Sequence, residues 1–300
     1  MNDLPIGVFD SGIGGLTVAR EIADHLPHES IYYFGDTKRC PYGPRSLQEV
    51  QRFALQISHW LANQKVKLIV IACNSATAAG LEEVQRVLDI PVIGVIEPGA
   101  RAAAQVTTAR RIGVIGTVAT INSGAYTRAI RALDAGITVF SAATPLFVEI
   151  VEQGLRLDRS PVEDIMAQAA SIFIRPKFQE IARDYLDPLK RCKIDTLVLG
   201  CTHYPLLAPL IGSILGPEVQ IISSAEETAR DVIEILTRRQ QLAPETNTPR
   251  YRFATTAQDP TEFINLGSMI VRQPIETEAL TLVTVKELEE VHVSKEERFV

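Results

Sequence analysis

The sequence predicts an α/β protein made of two doubly wound parallel-sheet lobes, related by a pseudo-two-fold axis, with the functional site in the interlobe cleft. Three observations carry this. Short apolar runs alternate with longer amphipathic stretches along most of the chain. Each run is apolar at successive positions, as in parallel strands covered by helices on both faces. And the order of the runs repeats in the second half of the chain. A length of 300 residues with 46% hydrophobic composition is enough for two cores.

The first set of runs is IGVFD, IYYFGD, LIVIAC and VIGVIE; the second is IGVIG, ITVFSA, TLVLGC and VQIIS. Between them, the apolar spacing over Leu16–Leu26, Leu47–Gln64 and Ala78–Leu88 predicts helices. Ile6–Ser11 (IGVFDS) matches Ile112–Thr117 (IGVIGT), and Leu68–Asn74 (LIVIACN) matches Thr196–Thr202 (TLVLGCT). A Gly-Val strand stands first in each half and a cysteine strand third, which predicts an internal duplication. Chance matching is the alternative, because buried strands draw on few residue types. After Thr246 the pattern weakens to one strand-like and one helix-like segment, PRYRFATT and DPTEFINLG. From Gln273 the tail reads as charged and irregular, with no catalytic part.

A net charge of −6 and no lysine or arginine stripe argue against a nucleic-acid partner. No apolar run reaches membrane-spanning length. The opening MNDLPIGVFD has no basic or apolar leader pattern, so a cytoplasmic protein is expected. The four cysteines, Cys40, Cys73, Cys192 and Cys201, have no zinc-site spacing.

Ligands of parallel α/β sheets bind at the carboxyl ends of the strands. Cys73 and Cys201 both fall there, each followed by polar residues where a helix is expected to start. A single such cysteine is usually a small buried hydrophobe. Two at equivalent places point to chemistry, since a helix start stabilises the reactive thiolate. DSGIGG at Asp10–Gly15 presents backbone N–H groups to an anion. Gly12, Gly14 and Asp36 imitate a dinucleotide fingerprint, but Thr17 takes the third glycine position and Asp10 would repel a pyrophosphate. A small carboxylate suits the loop better. RCPYGPRS at Arg39–Ser46 reads as an ordinary turn, and Cys40 and Cys192 as structural. His203 is either a packing residue or a partner of Cys201. By pattern alone Glu152 is a surface charge.

Taken together, GVFDSGIGGLTV, YFGDT with RCPYGPRS, ACNSAT and GCTHYPLL resemble the glutamate racemase family over nearly the whole chain to about Gly267. The resemblance implies an isomerase that supplies D-glutamate for peptidoglycan and cell shape, with no pyridoxal phosphate and no metal. It implies a homodimer with L- and D-glutamate as its small-molecule ligand. Carried over by position, Cys73 and Cys201 are the two acid/base residues, with Asp10 supporting Cys73 and His203 supporting Cys201. Asp36 and Glu152 match assisting acidic positions. Asp10, Ser11, Pro41, Tyr42, Gly43, Asn74, Ser75, Thr117, Thr120, Thr202 and His203 match substrate contacts. Ser75 stands where threonine is common and keeps the hydroxyl. The implied lobes are 1–97 with 207–265, and 98–206, leaving 266–300 as an extension.

Two thiols, one on each face of the α-carbon, would avoid moving a single base around the substrate. Near-attack geometry sets the sulfurs roughly 6–7 Å apart, beyond the ~2 Å of a disulfide. The alternatives are an aspartate or other amino-acid racemase of the same superfamily, or a non-catalytic two-lobe carboxylate-binding module.

Overall fold

The computed structural model describes residues 3–157 and 165–296, with side chains described as far as residue 291. The first half runs β1 (Ile6–Asp10), α1 (Leu16–His25), β2 (Ile31–Gly35), α2 (Leu47–Asn63), β3 (Leu68–Ile71), α3 (Asn74–Val87), β4 (Val92–Gly94) and α4 (Ile96–Val106). The second continues with β5 (Arg111–Gly116), α5 (Val118–Ser123), α6 (Ala125–Leu133), β6 (Thr138–Ala143), α7 (Leu146–Leu157), α8 (Ile165–Phe173), α9 (Pro176–Arg191) and β7 (Thr196–Gly200). A short 3₁₀ turn (Tyr204–Leu207) leads into α10 (Ala208–Leu215), β8 (Gln220–Ser223) and α11 (Ser224–Arg238). The chain closes with β9 (Tyr251–Thr255), α12 (Thr261–Val271), β10 (Leu280–Leu282) and α13 (Val285–Glu296).

The strands form a six-stranded sheet, β10-β9-β2-β1-β3-β4, and a four-stranded sheet, β6-β5-β7-β8. Every pairing is parallel. β1, β2, β3 and β7 are buried at every position, which is why their sequences do not alternate.

The sheets bear out the duplication. β1 lies between β2 and β3 as β5 lies between β6 and β7, and β4 and β8 follow in the same order. Ile6 pairs with Leu68 and Ile112 with Thr196, so the matched segments share one register. Cys73 and Cys201 each stand five positions beyond those partners.

Sheet membership differs from the expected lobe limits. β8 extends the second sheet beside β7, so the chain does not rejoin the first sheet at residue 207. It rejoins at β9, which pairs with β2. The division at residue 97 falls inside α4, whose packing is against α6 and β7. The tail after Gln273 is not irregular: β10 pairs with β9, α13 packs on α2, and Ile275, Val283 and Leu288 are buried. Ile275 and Leu288 stand singly among polar and charged residues, whereas Val283 sits in the short apolar run LTLV, which is the β10 signal that the reading of the tail passed over.

Candidate active site

The segments that follow β1, β3 and β7 meet at one narrow cleft. Cys73 caps α3 at its N-terminus and is 6% exposed. Cys201 follows β7 and is 7% exposed. Both sulfurs line this cleft together with Asp10, Ser11, Pro41, Tyr42, Gly43, Asn74, Ser75, Thr117, Thr202 and His203. Among the four cysteines there is no disulfide.

The lobes meet through short polar contacts. Ser75 Oγ lies 2.8 Å from Thr117 Oγ1 and 3.2 Å from Thr120 Oγ1, joining α3 to the start of α5. Tyr126 donates to Asn74 Oδ1 at 2.7 Å. The Ala119 amide donates to the Gly43 carbonyl at 2.9 Å. Thr17 Oγ1 donates to the Thr202 carbonyl at 3.0 Å. Two glycines allow this approach: a Cβ on Gly43 would sit 3.0 Å from Thr117 Cβ, and one on Gly14 would run into the His203 ring and Thr202 Oγ1.

The surroundings of the two thiols differ. At Cys73, burial and the Asp10 charge push the thiol well above its ordinary range, against the pull of the Ala76 and Ser11 amides. Asp10 is held by the Gly12 amide at 2.9 Å and by Thr202 Oγ1 at 3.2 Å. Cys201 precedes a single 3₁₀ turn rather than a long helix, so the expected helix start exists only at Cys73. Cys201 has an imidazole instead, with His203 Nδ1 3.9 Å from its sulfur. The other ring nitrogen of His203 faces Glu152 Oε1 at 3.6 Å, an ion pair too long for a hydrogen bond. Burial pulls the imidazolium down, but Cys201 and Glu152 outweigh it and raise its pKa to about 10. In return His203 and Arg156 hold the Glu152 carboxyl below its usual range.

Asp36 does not line the cleft. It is fully buried and accepts from Arg39 Nε at 2.6 Å, from Thr256 Oγ1 at 2.8 Å and from the Tyr42 hydroxyl. Its carboxylate therefore anchors the loop that carries Tyr42. Thr120 stands behind Ser75 and Thr117 as part of the hydroxyl cluster.

Two cleft residues escaped the sequence reading, Cys40 and Val148. Burial and the charges of Asp10 and Glu152 push the Cys40 thiol up to about 12, so it lines the cleft as a neutral group. Its place in RCPYGPRS, beside Pro41 and Tyr42, was the available signal. Val148 lies on α7, in a segment that carries no motif. Cys192 lies away from the cleft, where its carbonyl accepts from Arg111 Nε at 2.7 Å.

The arrangement offers a proton donor and a proton acceptor of the same chemical type on opposed elements. Amide and hydroxyl donors lie between them for a carboxylate. Asn74 Nδ2 is buried with no hydrogen-bond partner among the described residues, and so remains available as a further donor.

The chain is similar to known proteins over most of its length. The family model described as Asp/Glu/Hydantoin racemase matches residues 16–232. The chain is 46% identical over 271 residues to a glutamate racemase of Bacillus cereus, covering 90% of this chain and 94% of the relative. The glutamate racemase isoform RacE1 from Bacillus anthracis superposes with a TM-score of 0.83 at 43% identity, over 95% of this chain and 99% of that one. A glutamate racemase from Francisella tularensis, solved in complex with D-glutamate, superposes at 0.84 with 35% identity, over 97% and 100%. The chain belongs to the glutamate racemases of the Asp/Glu/hydantoin racemase family.

Proposed function

We propose that the cleft interconverts L- and D-glutamate by two opposed cysteine acid/base residues, Cys73 and Cys201. The observation that carries this is the pair of buried sulfurs at register-equivalent strand ends lining one cavity. The glutamate carboxylates lie among the hydroxyls of Ser11, Ser75 and Thr202 and the Asn74 amide. Pro41, Tyr42 and Gly43 close the cleft from the first sheet, while Thr117, backed by Thr120, closes it from the second. D-glutamate leaves for peptidoglycan synthesis in the cytoplasm, and the working enzyme is a homodimer.

The unequal surroundings support different roles for the two thiols. Cys73, pushed up, holds its proton. The His203 cation beside Cys201 stabilises negative charge at that sulfur. Cys201 then takes the α-proton of L-glutamate while Cys73 delivers a proton to the other face. The D-enantiomer requires the reverse, with Asp10 beside Cys73 in the supporting position. Negative charge that develops on the α-carboxylate meets donors already in place. Asp36 acts at a distance, by holding Tyr42.

Enantiomers have equal free energy in water, so kcat/KM is the same in both directions for every variant. Directional roles must be read from isotopes and half-reactions. In D₂O, each enantiomer should give product deuterated at the α-carbon while recovered substrate stays unlabelled early in the reaction. Cys73→Ser and Cys201→Ser should each abolish racemisation, because serine keeps an oxygen but not an accessible pKa. On a β-chloro amino acid, which eliminates chloride after deprotonation, Cys73→Ser should process only the L-form and Cys201→Ser only the D-form. Equal early labelling of substrate and product, or the same enantiomer preference in both variants, would overturn the assignment.

A further inference from the structure

The chain of charges that begins at Cys201 continues past Glu152. Arg156, one turn further along α7, donates from Nη2 to Glu152 Oε2 at 3.3 Å. Its Nε donates to Glu262 Oε1 at 2.6 Å. Glu262 stands in the first turn of α12, next to Phe263, which packs against Tyr33 of β2 with ring centroids 6.3 Å apart. α7 belongs to the other lobe, where Phe147 meets the Tyr204 ring edge-on at 5.4 Å. Cys201, His203, Glu152, Arg156 and Glu262 therefore link a buried sulfur to the surface and cross between lobes.

Within this chain Glu152 has both carboxylate oxygens engaged, Oε1 toward His203 and Oε2 toward Arg156. Glu152 is 27% exposed, so without Arg156 its carboxylate is free to turn to water and leave the imidazole. We propose that Arg156 is a positioning residue for racemisation, held by Glu262 of the opposite lobe so that Glu152 faces His203 when the lobes are closed. This rests on the reading of His203 as the partner of Cys201.

The groups around Glu152 determine what a pH measurement reports. His203 and Arg156 contact it directly, and both hold its carboxyl low. Cys40 of the first lobe feels its charge. Lys38, Glu149, Asp259 and Glu262 line the same groove outside the cleft. Removing the Arg156 cation raises the pH at which Glu152 protonates, and the acid limb of kcat/KM should move up with it.

Arg156 and Glu262 are both more than half exposed, at 52% and 60%, so their replacement leaves the fold intact. The test is a set of pH profiles of kcat/KM for R156M, R156K, E262Q, R156M/E262Q and E152Q, followed by circular dichroism of glutamate. R156M should lose about fivefold, the scale of a partly exposed ion pair, with its acid limb moved upward. R156K should restore the limb. E262Q should lose activity in the wild-type background and nothing further in R156M, since it acts through Arg156. An unmoved limb in R156M, or an equal loss from E262Q in both backgrounds, overturns the proposal while a crippled E152Q leaves the His203 reading standing. Wild-type kcat/KM and limb in E152Q would overturn both.

Discussion

Ser75 Oγ lies 2.8 Å from Thr117 Oγ1, so the hydroxyl after Cys73 meets the residue that caps α5 in the opposite half. The same serine contacts Thr120 at 3.2 Å. This cluster closes one end of the cleft while holding hydroxyls where a carboxylate oxygen would bind.

Ser75→Ala should therefore weaken glutamate binding more than it slows turnover. One hydrogen bond to a charged group is worth about 1.5–3 kcal/mol, so KM should rise by roughly tenfold or more. Ser75→Thr keeps the hydroxyl and should stay near wild type. Steady-state kinetics on both enantiomers check this, and a Ser75→Ala enzyme with unchanged KM would contradict it.

His203 gives a prediction in pH. Its imidazolium persists to about 10 in the folded protein, against an ordinary value of 6.5. Activity that depends on this cation should hold through neutrality and fall as pH approaches 10. Stability follows the same proton. The contribution is complete below about 6.5, declines between the two values, and is lost as pH rises through the folded one. Urea unfolding midpoints at increasing pH should fall more steeply in the wild type than in His203→Asn.

Gly14→Ala tests the closeness of the lobes. The added methyl would displace the His203 ring or Thr202. A large loss of kcat/KM with a folded circular-dichroism spectrum is expected, because the ring would leave Cys201. Near-wild-type activity would mean that the loop yields without cost to the site.

Asp36→Asn separates anchoring from chemistry. Its carboxylate balances the buried Arg39 guanidinium and holds Tyr42 and Thr256. Breaking a buried pair typically costs about 3–5 kcal/mol. Urea unfolding should show a loss of this order, with kcat at low temperature reduced by less than about tenfold, below the 10²–10⁴ typical of a lost acid/base group. A kcat loss of that larger size without destabilisation would place Asp36 in the reaction itself.

All strands but β10, their order along the chain and both strand-end cysteines were legible in the sequence, because buried parallel strands leave unbroken apolar runs and the duplication aligned them. The division between lobes was not, since VQIIS is as apolar as any strand and nothing local says which sheet it joins. The role of Asp36 was hidden for a related reason. Its partners Gln56-linked Arg39 and Thr256 come together only in the fold. Cys40 was set aside because it lies outside the strand-end pattern, while the fold brings it to the cleft beside residues remote in sequence. The difference between the two thiols also needed the structure, as a 3₁₀ turn and a helix start look alike in GCTHYPLL and ACNSAT.

Residues 280–282 lie along the outer rim of β9 with α13 folded back over α2. The rim strand that remains is three residues long, too short to template the pairing of another chain. Chains cut before Gln273 would instead present the five residues of β9 with their amides and carbonyls open on one side. Such an edge invites self-association. The tail thus covers an edge that would otherwise be open to other chains, a matter of solubility quite separate from proton transfer.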